Sequence, residues 1–411
     1  MYARTRIDIH SKAQPVSPTA LKRRNALFLT FFLPGLGISS WVTRTPDVRD
    51  LVEASTAQMG LILFGLSIGS MIGILGSGAL VAQWGTRAII GAGIVCVAVG
   101  VGVIGGGAGL GNGPLVAFGL GLFGLGMGGA EVAMNVEGAD VERAVGRSVM
   151  PLMHGFFSLG TVIGAVAGML LTAAAFPVVW HLIIVAAIVL SMLLIAIRDI
   201  PGGYGRRTRV AGEKGAPRAA VWKDPRLLLV GGIILALAMA EGTANDWLPL
   251  VMVDGHGFDA ALGSAIYAIF AAAMTLGRFV GGWFVDRFGR AAVLAGSAMF
   301  GAIGLAVVIF ADNQIAAAAA VVLWGIGTSL GFPVAMSAAG DSGDRSETAA
   351  RVSFAATIGY VAFLVGPPVL GLLGEEFGLR IAMIFVLVLV TAAMFLAPAA
   401  RTQAERESVR S

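Results

Sequence analysis

Glu131 and Asn135 stand one helical turn apart in a stretch that is otherwise mostly apolar, and Glu241 and Asn245 repeat the arrangement in a second such stretch. Residues four apart share a helix face, so each carboxyl has an amide beside it. An acid inside a lipid-crossing helix costs about 2.5–3.5 kcal/mol to insert and is retained where it meets a partner or a hydrated cavity. Burial favours the neutral form of a carboxyl, so groups of this kind exchange protons, and Glu131 and Glu241 are the candidates for that chemistry. A histidine ordinarily titrates near neutrality. His154, one turn into the next apolar run on its cytoplasmic side, either relays protons to Glu131 or is a satisfied structural residue. Asn135 and Asn245 can hydrogen-bond a solute. Trp247 can stack on a ring or a sugar, and Asp246 either joins it or caps the outer end of its helix. Tyr267, Trp324 and Tyr360 are candidates to line a cavity, with plain packing as the alternative. Glu131 also has a structural reading, as an acid paired with Arg143, Arg147 or His154. For Arg278 the favoured reading is a long stem snorkelling to the surface.

Other chemistries lack their residues. Cys96 is the only cysteine, and His10, His154, His181 and His256 are scattered, so no metal cluster is expected. No G-x-x-x-x-G-K-[ST] loop occurs, and no serine–histidine or paired-aspartate arrangement suggests an enzyme. Gly119-x-Gly121-x-x-Gly124 copies a dinucleotide fingerprint but lies in an apolar run with no strand before it; Gly124 with Gly128, and Gly160, Gly164 and Gly168, fit close helix packing instead.

The elements that carry these residues are membrane spans. Hydrophobic residues make up 57% of the chain and charged residues 13%, against about 25% charged in a soluble domain, and the mean hydropathy is +0.86. Apolar runs near 25–43, 57–82, 87–105, 113–136, 149–172 and 177–197, and near 227–251, 261–284, 290–311, 314–337, 350–373 and 379–399, each reach the span length of about 20 residues. The expected organisation is a basic segment at 1–24, a six-helix bundle at 25–197, a Gly- and Arg-rich linker at 198–225, a second bundle at 226–400 and a tail at 401–411. Lys and Arg number 24 on the side of both ends and the linker and three on the opposite side. The positive-inside rule therefore places both termini in the cytoplasm of a multi-pass cell-membrane protein.

The halves repeat. Gly78 and Trp84-Gly85 fall on Gly282 and Phe288-Gly289 at a shift of 204, Val132-Ala133-Met134 falls on Val334-Ala335-Met336, and Trp41 meets Trp247. An internal repeat of this kind marks a transporter whose halves rock about a central site. The segment Gly282-Trp-Phe-Val-Asp286-Arg287-Phe-Gly289-Arg290 resembles the loop signature of the major facilitator superfamily. Gly289 permits a tight turn, and Asp286, Arg287 and Arg290 form a candidate latch that breaks as the halves move. Ala82 and Gln83 occupy the matching acidic and basic positions of the first half.

Gly128-Gly-Ala-Glu131-Val-Ala-Met-Asn135 and Met153-His154-Gly-Phe-Phe157-Ser158-Leu-Gly160 are similar to the fourth and fifth helices of the fucose permease branch of that superfamily. The resemblance implies an all-α fold of twelve helices in two pseudo-symmetric bundles, a cavity lined by the first, fourth, seventh and tenth helices, and a protonation role for Glu131. That branch has an aspartate in its first helix; here Ser39-Ser40-Trp41-Val42 stands there, so a two-carboxylate scheme does not carry over. Drug/proton antiporters of the superfamily carry Gly-Pro in the fifth helix, whereas here Ala165 follows Gly164 and Gly366-Pro367-Pro368 lies in the eleventh run. The expected function is proton-coupled uptake of a small polar, sugar-like solute by a monomer, driven by the proton gradient without a cofactor or nucleic acid. The alternatives are proton-driven export of an amphipathic compound and a non-transporting membrane sensor on the same fold.

Overall fold

A computed structural model describes residues 17–145, 149–206, 221–341 and 348–401. Twelve helices among them are long and apolar enough to cross a membrane: α1 Pro18–Val42, α2 Thr56–Trp84, α3 Thr86–Gly109, α4 Gly113–Val145, α5 Leu152–Ala173, α6 Val178–Asp199, α7 Pro225–Gly255, α8 Ala260–Phe288, α9 Arg290–Phe310, α10 Gln314–Gly340, α11 Arg351–Phe377 and α12 Leu379–Ala400. Two of them outrun their apolar stretches by about two helical turns at one end. The Ser17 hydroxyl caps α1 by accepting from the Ala20 N–H, and Pro18 takes the first helical position, so Lys22, Arg23 and Arg24 ride on its first turns rather than in a separate 1–24 segment. α4 continues past residue 136 because the acids that seemed to end it are paired. Arg23 reaches Glu137 at 2.5 Å and Asp140 at 2.7 Å, and the Thr86 hydroxyl donates to Glu137 at 2.5 Å. Glu137 is fully buried there. The Tyr204 carbonyl accepts from the Thr86 N–H at 2.9 Å, which ties the start of the linker to the first half.

The repeat is visible in the helix ends. α2 follows the Ser55 cap and stops at Gly85; α8 follows the Asp259 cap and stops at Gly289, and each has 29 residues. Gly85 and Gly289 have φ of 86° and 77°, the left-handed conformation that glycine tolerates, and both turn the chain directly into the next helix. Packing repeats as well. α1 lies on α5, α4 on α2 and α3, and α3 on α6; α7 lies on α11, α10 on α8 and α9, and α9 on α12. Between the bundles α2 meets α11 and α5 meets α8, contacts that exchange when the halves exchange. This is two six-helix bundles about a pseudo-twofold axis. Glycines bring the helices to backbone contact: a Cβ on Gly124 would collide with the Leu66 carbonyl, and one on Gly128 would lie 2.6 Å from the Ser70 carbonyl. The nucleotide-like glycine spacing thus belongs to a helix–helix seam.

Among the described residues, the polar contacts between the bundles lie at mid-depth or toward the end opposite the chain termini. Arg49, on a short helix after α1 (Thr45–Leu51), pairs with Asp254 in a π-helical turn that ends α7. Ser264 Oγ donates to the Thr43 carbonyl at 2.6 Å, the Ala57 N–H donates to Glu375 at 3.1 Å, and Ser67 Oγ donates to the Phe363 carbonyl at 2.7 Å. The last bond has a covalent cause. Pro367 cannot supply the N–H that would serve the carbonyl four residues earlier, so α11 leaves Phe363 open to a donor from α2. The two bundles are therefore closed against each other at the end bearing the 43–55 connection, opposite the chain termini.

Candidate functional site

Arg278 is the pivot of the polar groups between the bundles. Its Nη2 donates to Glu241 Oε1 at 2.7 Å, joining α8 to α7, and its Nε points to the Ser329 carbonyl at 3.4 Å. α10 breaks beside that carbonyl: one helix ends at Ser329 and another starts at Gly331. Pro333, four residues on, has no N–H to give to Ser329, so the proline exposes an acceptor that the guanidinium uses. The Arg278 side chain stays 32% exposed against 15% for Glu241. Its Nη1 has no hydrogen-bond partner among the described residues. The snorkelling reading of Arg278 is therefore corrected: the stem turns inward because a carboxylate and an orphaned carbonyl wait there.

Glu131 of α4 is half-buried and lies within electrostatic reach of both Arg278 and Glu241. Among the described residues it has neither an ion pair nor a hydrogen bond. The structural alternative loses Arg143, which is engaged by Asp140 at 3.2 Å and by the Tyr204 hydroxyl at 3.0 Å; Arg147 lies outside the described residues. Tyr360 of α11 is near enough to feel the Glu131 charge, and His154 of α5 near enough to feel that of Arg278. His154 is exposed and meets the Phe31 ring edge-on at 5.1 Å. Asn135, half-buried one turn along α4, has its Oδ1 buried without a partner among the described residues. Across the cluster, five helices bring together two carboxylates, one guanidinium, a phenol and an imidazole.

Several expected lining residues are not at a surface. Trp247, Trp324 and Tyr267 are almost fully buried. The Trp324 indole donates to the Ala240 carbonyl at 3.2 Å, and the Tyr267 hydroxyl donates to Asn245 Oδ1 at 3.1 Å. These rings wedge α7, α8 and α10 together, so none presents a face to a solute here. Asp246 is buried in α7 well before its end at Gly255, so it is not an outer cap. The latch also differs from the expectation. Arg290 pairs with Asp341 at the end of α10, while Asp286 and Arg287 are exposed, with no ion-pair partner among the described residues. A cavity of about 530 Å³ lies at the end opposite the chain termini, between Thr56, Asp254 and Arg380, and is lined by none of the central residues.

The fold and the repeat lead to known proteins. The model of the Major Facilitator Superfamily matches residues 143–348 and 264–411. A transporter of Yersinia pestis described as MFS-type and uncharacterised is 30% identical over 376 residues, covering 91% of this chain and 94% of that protein. The chain belongs to the major facilitator superfamily. This transporter is also 30% identical to an uncharacterised transporter of Sinorhizobium fredii, over 90% of this chain and 95% of the other. Membrane protein MosC of Rhizobium meliloti is 24% identical over 88% of this chain and 86% of its own length. Solved structures share the fold at low identity. A variant of the nucleoside transporter NupG has a TM-score of 0.74 at 14% identity, covering 93% of this chain and 99% of that chain. FucP in the outward conformation scores 0.64 at 17% identity, covering 94% of this chain and all of the other.

What sequence reading missed in this transporter is the Arg278–Glu241 bond and the buried Glu137 cluster. A signal for the first was present: Arg278 is the one basic residue away from the span ends, and α7 and α8 are antiparallel neighbours that bring positions 241 and 278 to similar depth. Glu137 offered none, because its partner Arg23 lies more than a hundred residues earlier in the chain.

Proposed function

We propose that this member of the superfamily couples uptake of a small polar solute to protons, with Glu131 as the proton-carrying carboxyl. One observation carries the reading: Glu241 holds the Arg278 guanidinium at 2.7 Å, while Glu131, within electrostatic reach of it, has no ion pair among the described residues. A carboxylate left unpaired at this depth carries a desolvation penalty of several kcal/mol, and protonation removes it. Glu131 therefore takes a proton while its bundle is exposed to the acidic side and gives it up on the other. Glu241 serves as the fixed counter-ion of Arg278. The proton gradient supplies the energy, and no cofactor takes part.

The charge bias of 24 to three supports a cytoplasmic position for the end bearing the termini, and on that reading the closed end is the outer one and the carrier is shut to the outside. On opening outward, the contacts at Arg49, Ser264, Ala57 and Ser67 break, and the exposed Asp286 and Arg287 become available to the closing inner end. The test is solute-dependent proton movement in proteoliposomes under an imposed pH gradient. Wild-type protein acidifies the lumen as solute enters, and Glu131→Gln carries solute without pH dependence or not at all. Full pH dependence in that variant would remove Glu131 from the role.

A further inference from the structure

We propose that the solute is an organic anion whose carboxylate is taken by the free arm of Arg278, a proposal that rests on the proton role given to Glu131. Arginine presents two parallel donors that match a carboxylate, a geometry a point charge lacks. At this site the fork is only half used. Nη2 is on Glu241, Nε is turned to the Ser329 carbonyl, and Nη1 has no hydrogen-bond partner among the described residues, on a side chain that keeps 32% of its surface open. The indoles that would stack a neutral ring are spent elsewhere, since Trp247 and Trp324 are buried between helices. The recognition element left open is therefore cationic.

Charge conservation links the anion to the proton. Ionised Glu131, within electrostatic reach of Arg278, competes for the same positive arm. With both acids ionised and Arg278 charged, the empty site carries one net negative charge. When Glu131 takes a proton from water and a carboxylate occupies the Nη1 arm, the net charge is again one negative. Loaded and empty carriers thus cross between states with equal charge, and one proton accompanies each anion. An amine would pair with ionised Glu131 in place of the proton, which is exchange in the opposite sense.

The experiment is thermal unfolding of the purified full chain with a set of monocarboxylates of three to eight carbons, each beside its neutral amide and its amine, at pH 5.5 and 7.5. A ligand that binds the folded state raises the melting temperature. At least one carboxylate is expected to stabilise wild-type protein while its amide and amine do not. Its affinity should fall up to about tenfold per pH unit as one coupled proton becomes scarce. Glu131→Gln, which imitates the protonated acid, should bind that carboxylate equally at both pH values. Arg278→Lys keeps the charge beside Glu241 but lacks the fork, and should lose at least about tenfold in affinity, the loss of roughly one charge-assisted bond. Stabilisation by amines alone, by amides as strongly as by carboxylates, or by no carboxylate at all overturns the proposal. An amine that binds with proton exchange through Glu131 would refute the anion and leave the proton role standing. A carboxylate bound equally at both pH values by wild-type protein would keep the anion site and refute the proton role.

Discussion

Closure at the outer end rests on a glycine pair, and filling it should hold the transporter open to the outside. A Cβ added to Gly60 of α2 would lie 2.8 Å from the Pro367 carbonyl oxygen and 3.0 Å from Gly371 Cα, both backbone atoms of α11 in the other bundle. Neither can swing aside as a side chain would. Gly60→Val therefore overpacks the interface only when the bundles meet, at a cost of about 1–3 kcal/mol. The gain in helix propensity on leaving glycine acts on both states alike and cancels. A penalty of about 2 kcal/mol shifts the ratio of outer-closed to outer-open carriers roughly 30-fold. Ser264, buried against Thr43 at the junction, reports the opening. With Ser264→Cys in a Cys96→Ala background, a membrane-impermeant maleimide added outside should label the Gly60→Val protein at least about tenfold faster than its parent. An unchanged rate, with folding intact, would refute the idea that this backbone contact closes the outer end.

Three further outcomes follow from the same geometry. Ser67→Ala should cost about 1–2 kcal/mol by stranding the Phe363 carbonyl; adding Pro367→Ala restores an N–H for that carbonyl, so the double variant should lose less than the sum, as thermal unfolding would register. Arg49→Ala should raise outside labelling of the same cysteine modestly, by a few-fold at most, because the Asp254 pair is partly solvated. The third concerns Asp224, the cap of α7. Burial pushes its carboxyl up, but Arg351 and the N–H groups of Arg226 and Leu227 outweigh burial and hold it below the ordinary carboxylate range. A carboxyl lowered on folding stabilises above its unfolded value, about 3.9, and loses that contribution as pH falls through the lowered one. The melting-temperature advantage of wild type over Asp224→Asn should therefore be full near neutral pH and shrink below about pH 4.

Hydropathy and the repeat were enough to read twelve spans and two bundles, because lipid imposes its length and apolarity on every helix separately. Glu131 and Glu241 were legible for the same reason: a charge at that depth stands out against its own helix. Where two helices had to be known at once, legibility stopped. Arg278 was misread because its partners, Glu241 and the carbonyl left open by Pro333, lie on other helices. The extension of α4 was missed because Glu137 is polar in sequence and neutralised only by Arg23. Trp247 and Trp324 have the composition of a ring-binding site, yet which side of a helix faces the cavity is decided by packing that no single span encodes.

The central claim is that, of the two acids beside Arg278, Glu131 is the one that changes protonation. Infrared difference spectra of the reconstituted transporter, taken between alkaline and acidic pH, test it most directly through the carbonyl stretch of a buried protonated carboxyl. The account predicts such a band on acidification that disappears in Glu131→Gln and, in Glu241→Gln, appears only at lower pH, because Arg278 then loses its carboxylate and favours the ionised form of Glu131. A band that survives Glu131→Gln and vanishes with Glu241→Gln would contradict it.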